Sequence, residues 1–458
     1  MPRSNAQLRQ DALRIWQAGL EAVRSPRLIF DAVEVSGSEL RLGKQLIGLN
    51  LIDRIAVVGG GKAAAGMVTA LEQSLGPRIL QEKHVTGWVN VPGDCQLPTT
   101  AVTLHAGRPP GVNEPTESGA AGVAQMLRIV AGLGPRDLCL CLISGGASAL
   151  MPAPIDGFSL ADKLTITQEM SARGATIEQM NIVRRSLSAI KGGGLAAACR
   201  AGQLVSLIVS DVPGDDVATI GSGPTAIGPV PTNDAIEVLR ALSLLELPAG
   251  ARAKALMERR LASESGTTDW PDRNLTRHGC RVTNVVIGNN AAAVDAAGVE
   301  AEQLGYSHAM VSANQPEGLA ENVAHQLVGM ASRMREDANG PDCLISGGEP
   351  TVVLAPSDVR GKGGRNQQLC LAALAELTQW RGIALISGGT DGEDGPTDAA
   401  GACVDGAIAN AARLLGLDPH EHLARNDAYS FFEAAGGLLM TGPTHANVCD
   451  LRVLTVSR

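Results

Sequence analysis

The sequence predicts an α/β protein with a Rossmann-like, mostly parallel sheet domain, a second α/β domain and an active-site cleft between them. Apolar runs typical of buried strands alternate with amphipathic stretches typical of helices. The pentapeptide Leu-Ile-Ser-Gly-Gly ends three of these runs, at Leu142–Gly146, Leu344–Gly348 and Leu385–Gly389. The chain has 458 residues, more than one ordinary core accommodates, so its length alone predicts two or three domains.

The first half of the chain should contain two leading helices and then alternating strands and helices. This βαβ rhythm predicts a parallel sheet covered on both faces. We expect helices over Asn5–Arg24 and Pro26–Asp31, a strand over Arg54–Val58, a helix to about Ser74, a strand over His84–Val91, a helix over Glu117–Ala131, and strands over Asp137–Ile143 and Leu204–Val209.

A polar segment, Arg259–Arg281, predicts a connector before a second set of elements. That set comprises strands over Val282–Ile287, His308–Val311, Asp342–Ile345, Pro350–Leu354 and Ile383–Ile386, and helices over Asn290–Gln303, Leu319–Asp337 and Leu369–Leu377. We therefore expect a helical lead-in over residues 1–49 that packs on either domain and a Rossmann-like domain over 50–235. A helix and connector over 236–281 and a second α/β domain over 282–458 should follow.

Composition excludes several classes of protein. Hydrophobic residues make up 45% of the chain and charged residues 19%, yet no run approaches the roughly 20 apolar residues that cross a bilayer. The net charge is −9 and there are only four Trp, four Phe and two Tyr, which argues against a nucleic-acid partner. Nine cysteines without a C-x-x-C pair, and a start without a signal-peptide pattern, predict the reducing cytoplasm.

A glycine-rich turn with a lysine follows the first predicted strand. Gly59, Gly61 and Ala64 fit the dinucleotide fingerprint G-x-G-x-x-G/A, but no acidic residue ends the next strand to hold a ribose. Gly60 and Gly61 would leave room for an anion at the helix start, where Lys62 would meet it. A solvated surface lysine is the alternative.

Two further segments suit anion binding. Ser144, Gly145, Gly146 and Ser148 would offer donors to a phosphate at the first Leu-Ile-Ser-Gly-Gly turn. Farther on, the spacing predicts Arg184, Ser188 and Lys191 on one helical face, followed by Gly192. An ordinary helix C-terminus, which favours cations and then glycine, would explain the second segment equally well.

Carboxylates gather at two places that follow predicted strands. Asp211 comes directly after one strand, where an oxygen ligand suits Mg²⁺, although turns also favour Asp. The stretch Asp391–Asp398 holds four carboxylates, which repel one another unless a cation or donors neutralise them. We take Asp391, Asp394 and Asp398 as candidate metal ligands; a flexible acidic surface loop is the alternative.

A short cationic glycine loop lies between these segments. In Gly361–Gln368, Arg365 could form two hydrogen bonds with a carboxylate or phosphate, and Asn366 could donate beside it.

These motifs resemble those of the class II glycerate 2-kinase family, some of whose members are labelled hydroxypyruvate reductases. The resemblance runs from about residue 10 to the end of the chain. It is carried by five ordered motifs: Val58–Ala64, Leu142–Leu150, Val183–Gly193, Gly363–Gln367 and Gly389–Gly401.

The resemblance implies ATP-dependent phosphorylation of D-glycerate to 2-phosphoglycerate, a reaction of carbohydrate metabolism. It also implies a Rossmann-like domain facing a second α/β domain. The lysine and arginine proposed as active-site residues in the family fall on Lys62 and Arg365. Ala147, His445 and Cys449 depart from the usual pattern, which leaves the substrate range open.

The predicted catalytic residues are Lys62, Arg365 and Asp211, with Mg²⁺ near Asp211 or the acidic loop. Arg184 and Asn366 would bind substrate. ATP would contact Gly60, Gly61, Ser144, Gly145, Gly146, Ser148, Lys191 and Gly192. A nicotinamide-dependent hydroxypyruvate reductase and a non-catalytic sugar-phosphate sensor stay open as alternatives, as does a homodimer.

Overall fold

We describe a computed structural model of the chain over residues 2–110, 112, 114–264 and 274–457. The helices are α1 Asn5–Ala22, α2 Ser25–Ala32, α3 Ala64–Glu82, α4 Glu117–Ala131, α5 Ala147–Leu150, α6 Leu160–Ala172, α7 Ile177–Ser186, α8 Gly194–Ala198, α9 Thr232–Ala241, α10 Pro248–Glu264, α11 Asn290–Gln303, α12 Ala320–Glu336, α13 Arg365–Glu376, α14 Gly406–Leu414, α15 Pro419–Ala424 and α16 Ala428–Ala435. The strands are β1 Val33–Ser36, β2 Glu39–Leu42, β3 Gln45–Gly48, β4 Ile55–Gly60, β5 Thr86–Pro92, β6 Val102–Arg108, β7 Leu138–Ile143, β8 Gln203–Val209, β9 Arg281–Gly288, β10 His308–Val311, β11 Cys343–Gly348, β12 Ile383–Gly389, β13 Gly401–Asp405, β14 Leu438–Leu439 and β15 Asp450–Val456.

The chain divides into two compact units. The parallel-sheet unit contains Leu28–Val209 and Asp215–Ile287, and the mixed-sheet unit contains Met1–Arg27, Ser210–Gly214 and Gly288–Arg458. The α/β fold class is confirmed. The predicted boundary at residue 282 was wrong, because β9 lies beside β8 in the first sheet instead of opening the second. The predicted lead-in over 1–49 is likewise split between the units.

Part of the predicted connector lies outside the described residues, at 265–273. The cleft expected between the domains stays a prediction.

Six strands form the sheet of the first unit, in the order β6-β5-β4-β7-β8-β9. The pairings of β4 with β5 and β7, of β5 with β6 and of β7 with β8 are parallel. This strand order is that of doubly wound nucleotide-binding folds, in which ligands bind where the order reverses direction. Here the reversal lies between β4 and β7, so the turns that follow these two strands are adjacent.

Glycine is required where these two turns meet. Gly59 has φ 143° and Gly61 has φ 148°. A Cβ atom on Gly59 would lie 2.0 Å from the Leu142 carbonyl oxygen, and one on Gly61 would lie 2.1 Å from Ser144 Oγ. Packing between β4 and β7 therefore explains the two glycines that match the dinucleotide fingerprint.

Two additions to the parallel sheet were not predicted. Strands β1, β2 and β3 form a separate antiparallel sheet. Helices α6, α7, α9 and α10, which we call the helical cluster, share an apolar core that includes Ile166, Met170, Leu187, Leu239 and Met257.

The second unit has a mixed sheet in the order β10-β11-β15-β12-β13-β14. The last strand, β15, lies between β11 and β12 and runs antiparallel to both. Its first residue, Asp450, is therefore paired with Gly348 on one side and Gly389 on the other. The start of β15 thus meets the ends of β11 and β12 at one edge of the sheet.

The strand predicted over Pro350–Leu354 is not formed. Thr351 makes only an isolated bridge with Leu319, and Val353 and Leu354 are exposed. Apolar residues alone do not make a strand when no neighbouring strand edge is available to pair with them.

No helix in the described part of the chain is both long enough and apolar enough to cross a membrane. All nine cysteines are free thiols.

We expect Gly59→Ala to lower the free energy of unfolding by at least about 3 kcal/mol, because the added methyl group meets backbone and the φ angle disfavours alanine. Gly228→Ala is the matched control, since a Cβ there has no neighbour within 4 Å. Urea unfolding followed by circular dichroism measures both. Equal stability of the two variants would contradict the packing argument.

Candidate active site

The turns that follow β4 and β7 are hydrogen-bonded to each other. The Lys62 N–H donates to the Gly145 carbonyl at 2.9 Å, and the Ala63 N–H donates to Ser144 Oγ at 3.0 Å. Gly146 has φ 80°, and a Cβ there would lie 3.2 Å from Cγ of Lys62. The structure thus brings Lys62 together with Ser144, Gly145 and Gly146, beside the start of α3.

Lys191 is a buried anchor for this region. Its side chain is 1% exposed, and Nζ donates to the Ser148 carbonyl at 3.2 Å, to Ser148 Oγ and to Ser222 Oγ at 3.3 Å. Burial lowers the pKa of Lys191 well below its usual value, and the positive charges of Lys163 and Arg184 lower it further. Lys191 therefore fixes Ser148 in place. Ser222, which completes this contact, was missed.

The predicted helical face carrying Arg184, Ser188 and Lys191 was wrong. Helix α7 ends at Ser186, so Ser188 and Lys191 lie beyond it. Ser188 Oγ accepts a hydrogen bond from the Lys191 N–H at 3.3 Å, which stabilises a turn instead of another helical turn. Gly192, with φ 57°, continues that turn and donates its N–H to the Ser222 carbonyl at 3.0 Å.

In the mixed-sheet unit, Arg365 is held by two carboxylates. Nε donates to Asp450 Oδ2 at 2.7 Å and Nη2 donates to Oδ1 at 2.9 Å, which makes a bidentate pair. Nη1 donates to Glu349 Oε1 at 2.7 Å. Asp450 is completely buried, so the guanidinium has one fixed orientation at the edge of the sheet.

Glu349 and Asp450 are the functional candidates that the sequence reasoning missed. Glu349 directly follows the second Leu-Ile-Ser-Gly-Gly turn, which was the available signal. Loss of hydration raises the pKa of Glu349, Arg365 lowers it, and the charges of Asp450 and Asp391 raise it. The charges of two carboxylates thus act on Glu349, which also forms an ion pair with Arg365.

Asp394 caps the helix that begins with Arg365. Its Oδ1 accepts the Asn366 N–H at 3.0 Å and its Oδ2 accepts the Gln367 N–H at 2.8 Å. These two bonds start α13 at Arg365, ahead of the predicted start at Leu369. Ser387 Oγ donates to Asn366 Oδ1 at 2.5 Å, which links α13 to the end of β12.

The predicted set of three metal ligands, Asp391, Asp394 and Asp398, was wrong as a cluster. Asp394 is occupied as the cap of α13, and Asp398 is exposed at 3.8 Å from Lys362 Nζ. A hydrogen bond from Tyr429 is the main cause that lowers the pKa of Asp398. Among the described residues there is no group of three or more His, Cys, Asp or Glu arranged to hold a metal ion. Of these three carboxylates, Asp391 is the one whose charge contributes to the raised pKa of Glu349.

Asp211 lies close to the Arg365 group. The Cys449 thiol donates to the Asp211 carbonyl at 3.0 Å. Burial raises the pKa of Cys449, and the charges of Glu349, Asp211 and Asp450 raise it further. The structure therefore assembles Asp211, Glu349, Arg365 and Asp450 in one unit.

The chain matches known proteins along most of its length. Residues 11–258 match the domain of unknown function DUF4147, and residues 342–450 match the MOFRL family. The human protein named glycerate kinase is 35% identical over 98% of this chain and 94% of its own length, and the bovine protein of that name is 34% identical over the same shares. The chain belongs to the class II glycerate 2-kinase family.

Solved structures agree with this assignment. The structure of a Thermotoga maritima glycerate kinase is 30% identical, with a TM-score of 0.78 over 98% of this chain and 100% of that one. A Pyrococcus horikoshii protein is 29% identical, with a TM-score of 0.75 over 98% of both chains. An Agrobacterium vitis relative, 34% identical over 88% of this chain and 99% of its own, carries a hydroxypyruvate reductase name.

The cap of α13 should make stability depend on pH. Burial raises the pKa of Asp394 to about 7, against the two N–H bonds that lower it. The folded chain then keeps a proton that the unfolded chain has already released, so stability is highest below about pH 4 for this group and is lost as the pH rises towards 7. The slope should reach roughly 1.4 kcal/mol per pH unit.

Asp394→Asn should remove that slope, because asparagine still accepts a hydrogen bond but does not titrate. Urea unfolding at pH values between 4.5 and 7.5, about one unit apart, measures the slope of the free energy of unfolding against pH. Asp358→Asn, at an exposed position, is the control. An unchanged slope in Asp394→Asn would contradict the assignment.

Proposed function

We propose that the chain transfers a phosphoryl group from ATP to the 2-hydroxyl of D-glycerate, giving 2-phosphoglycerate, with Mg²⁺ as the cation. The observation that carries the proposal is the pair of hydrogen-bonded glycine turns after β4 and β7, with Lys62 beside them. They lie where doubly wound sheets bind phosphates. The choice of glycerate as the substrate comes from the relatives that are named glycerate kinase.

Lys62 would neutralise the charge that grows on the transferred phosphoryl group. In phosphoryl transfer most of the catalysis comes from positioning and charge neutralisation. The glycine turns fit a phosphate chain because side chains at Gly61 or Gly146 would occupy the space beside Ser144 and Lys62. Lys191 would keep Ser148 in position to donate to the nucleotide.

Arg365 would bind the carboxylate of glycerate or the transferred group. Its guanidinium has five N–H donors, and Asp450 and Glu349 engage three of them. Two donors are left for an anionic ligand, in a plane that the Asp450 pair fixes. Arg365 is therefore already oriented before substrate binds, which lowers the entropic cost of binding. Asn366 is completely buried and its amide is engaged by Asp394 and Ser387, so it would hold the start of α13 in place and would not contact the substrate.

The donor set fits Mg²⁺ without an all-protein cage. Mg²⁺ needs only one or two carboxylates when phosphates and waters supply the other ligands. Glu349 and Asp391 suit this role because the negative charge of Asp391 acts on Glu349, and a cation between them would relieve that repulsion. Asp211 is the third candidate. When bound, Mg²⁺ would offset the negative charge of the phosphates.

Hydroxypyruvate reduction is less well supported. A nicotinamide site of this fold places an acidic residue at the end of the second strand for the ribose. Here β5 ends in Asn90, Val91 and Pro92. The Asn90 amide is buried and donates to the Gly119 and Leu150 carbonyls, so it is used within the fold. The charged group around Arg365 also favours an enzyme over a non-catalytic sensor. A homodimer and a cytoplasmic location stay predictions.

One paired assay tests the proposed reaction. Purified protein is given D-glycerate, ATP and Mg²⁺ and scored for ADP, and in parallel hydroxypyruvate with NADH or NADPH. We expect ADP release that depends on D-glycerate, with ³¹P NMR identifying 2-phosphoglycerate as the product. NADH oxidation without ADP release would refute the kinase, and 3-phosphoglycerate would refute the choice of hydroxyl.

Lys62→Met should lower kcat by about 10²–10³, the usual cost of removing one donor that stabilises transition-state charge. The KM for D-glycerate should change little. Lys44→Met, which removes an exposed lysine of the same unit, is the control. Steady-state kinetics at saturating ATP, with circular dichroism to verify folding, measure both. Near-normal turnover in Lys62→Met would remove Lys62 from the mechanism.

A further inference from the structure

Three basic side chains lie close together inside the helical cluster and the segment that follows α7. Lys163 on α6 is 8% exposed, Arg184 on α7 is half-buried, and Lys191 is 1% exposed. Within the described residues, no carboxylate forms an ion pair with any of the three. Buried charges are normally paired, because a lone charge loses most of its hydration.

Lys163 is the member without a partner. Its Nζ is buried and makes no hydrogen bond to any described residue. Burial is the main cause that lowers the pKa of Lys163 to about 8, and the charge of Arg184 contributes to this shift. At neutral pH the amine is still mostly protonated. The Lys163 ammonium group is therefore a charged donor for which no described residue accepts a hydrogen bond.

A small cavity adjoins this amine. It has a volume of ≈ 10 Å³ and is lined by Lys163, Arg184, Thr167 and apolar side chains such as Ile166 and Met170. That is room for a single small occupant, such as a water molecule or a monatomic ion. Sulfate and phosphate are too large for it.

The chemistry of the lining favours an anion over water. Lysine and arginine only donate hydrogen bonds, so the occupant has to accept from both. A water molecule would accept, but its own two hydrogens would face mainly apolar groups. A monovalent anion only accepts, and it also neutralises the repulsion between the cations.

We propose that this cavity binds one small monovalent anion of the chloride class, held between Lys163 and Arg184. The bound anion offsets the two charges that act on Lys191. Lys191 then keeps its proton and its bonds to Ser148 and Ser222. The proposal is independent of the substrate, because its two tests measure anion binding and the melting temperature and do not measure phosphoryl transfer.

Bromide locates the site directly. Crystals of the full chain are soaked in sodium bromide and data are collected at the bromine absorption edge. We expect an anomalous peak between Lys163 Nζ and the Arg184 guanidinium. Electron density without an anomalous signal would mean that the cavity holds water. A peak that appears only at molar bromide would mean non-specific binding at high salt. Either result overturns the proposal.

Thermal unfolding tests the same site in solution. Wild-type protein should melt roughly 2–4 °C higher in sodium chloride than in sodium gluconate of equal ionic strength. Lys163→Met should lose the difference between the two salts, and Lys163→Gln serves if the methionine variant does not fold. Lys254→Met, on the surface of α10, should keep the difference. Equal melting temperatures of the wild type in both salts would overturn the proposal.

Discussion

The bidentate pair between Arg365 and Asp450 connects the parts of the mixed-sheet unit to which we assign the chemistry. Asp450 is the first residue of β15, and Arg365 is the first residue of α13. Because β15 lies between β11 and β12, the pair forms at the edge where Glu349 and Asp391 follow those strands. One ion pair thus fixes an arginine in a region that would otherwise hold only repelling carboxylates.

In the parallel-sheet unit a basic residue, Lys62, is likewise held in place, but by backbone contacts and not by an ion pair. Gly59 and Gly61 let two turns touch, and the same contact places Lys62 beside Gly146. A pattern that resembles a dinucleotide fingerprint therefore arises from sheet packing. The chemistry that we propose for this unit depends on Lys62, which lies where the strand order reverses.

Much of the fold could be predicted because it depends on local patterns. The helix Glu117–Ala131 and the strand His308–Val311 have the predicted bounds, since capping residues and apolar periodicity mark them. The antiparallel place of β15 could not be predicted, because pairing between distant strands leaves no local signal.

The site residues also fall into two groups: those with a local sequence signal and those that only contacts between distant residues reveal. Lys62 and Arg365 stand in glycine loops that are visible in the sequence. The partners of Arg365 could not be found, because Asp450 is far from it in the chain. The role of Asp394 was misjudged for a related reason. An acidic loop suggests metal ligands, whereas the carboxylate caps a helix by accepting the N–H of Asn366, 28 residues earlier in the chain.

The order of the elements along the chain has a consequence for synthesis. Trp16 of α1 donates its Nε1 hydrogen to the Leu451 carbonyl, across a separation of 435 residues. Helix α1 therefore cannot make this contact until β15 has been made, and most of the parallel-sheet unit lies between them in sequence. That unit can fold while the rest of the chain is still being made, but the mixed sheet can close around Arg365 only once β15 has been made. The unit that is begun first is completed last.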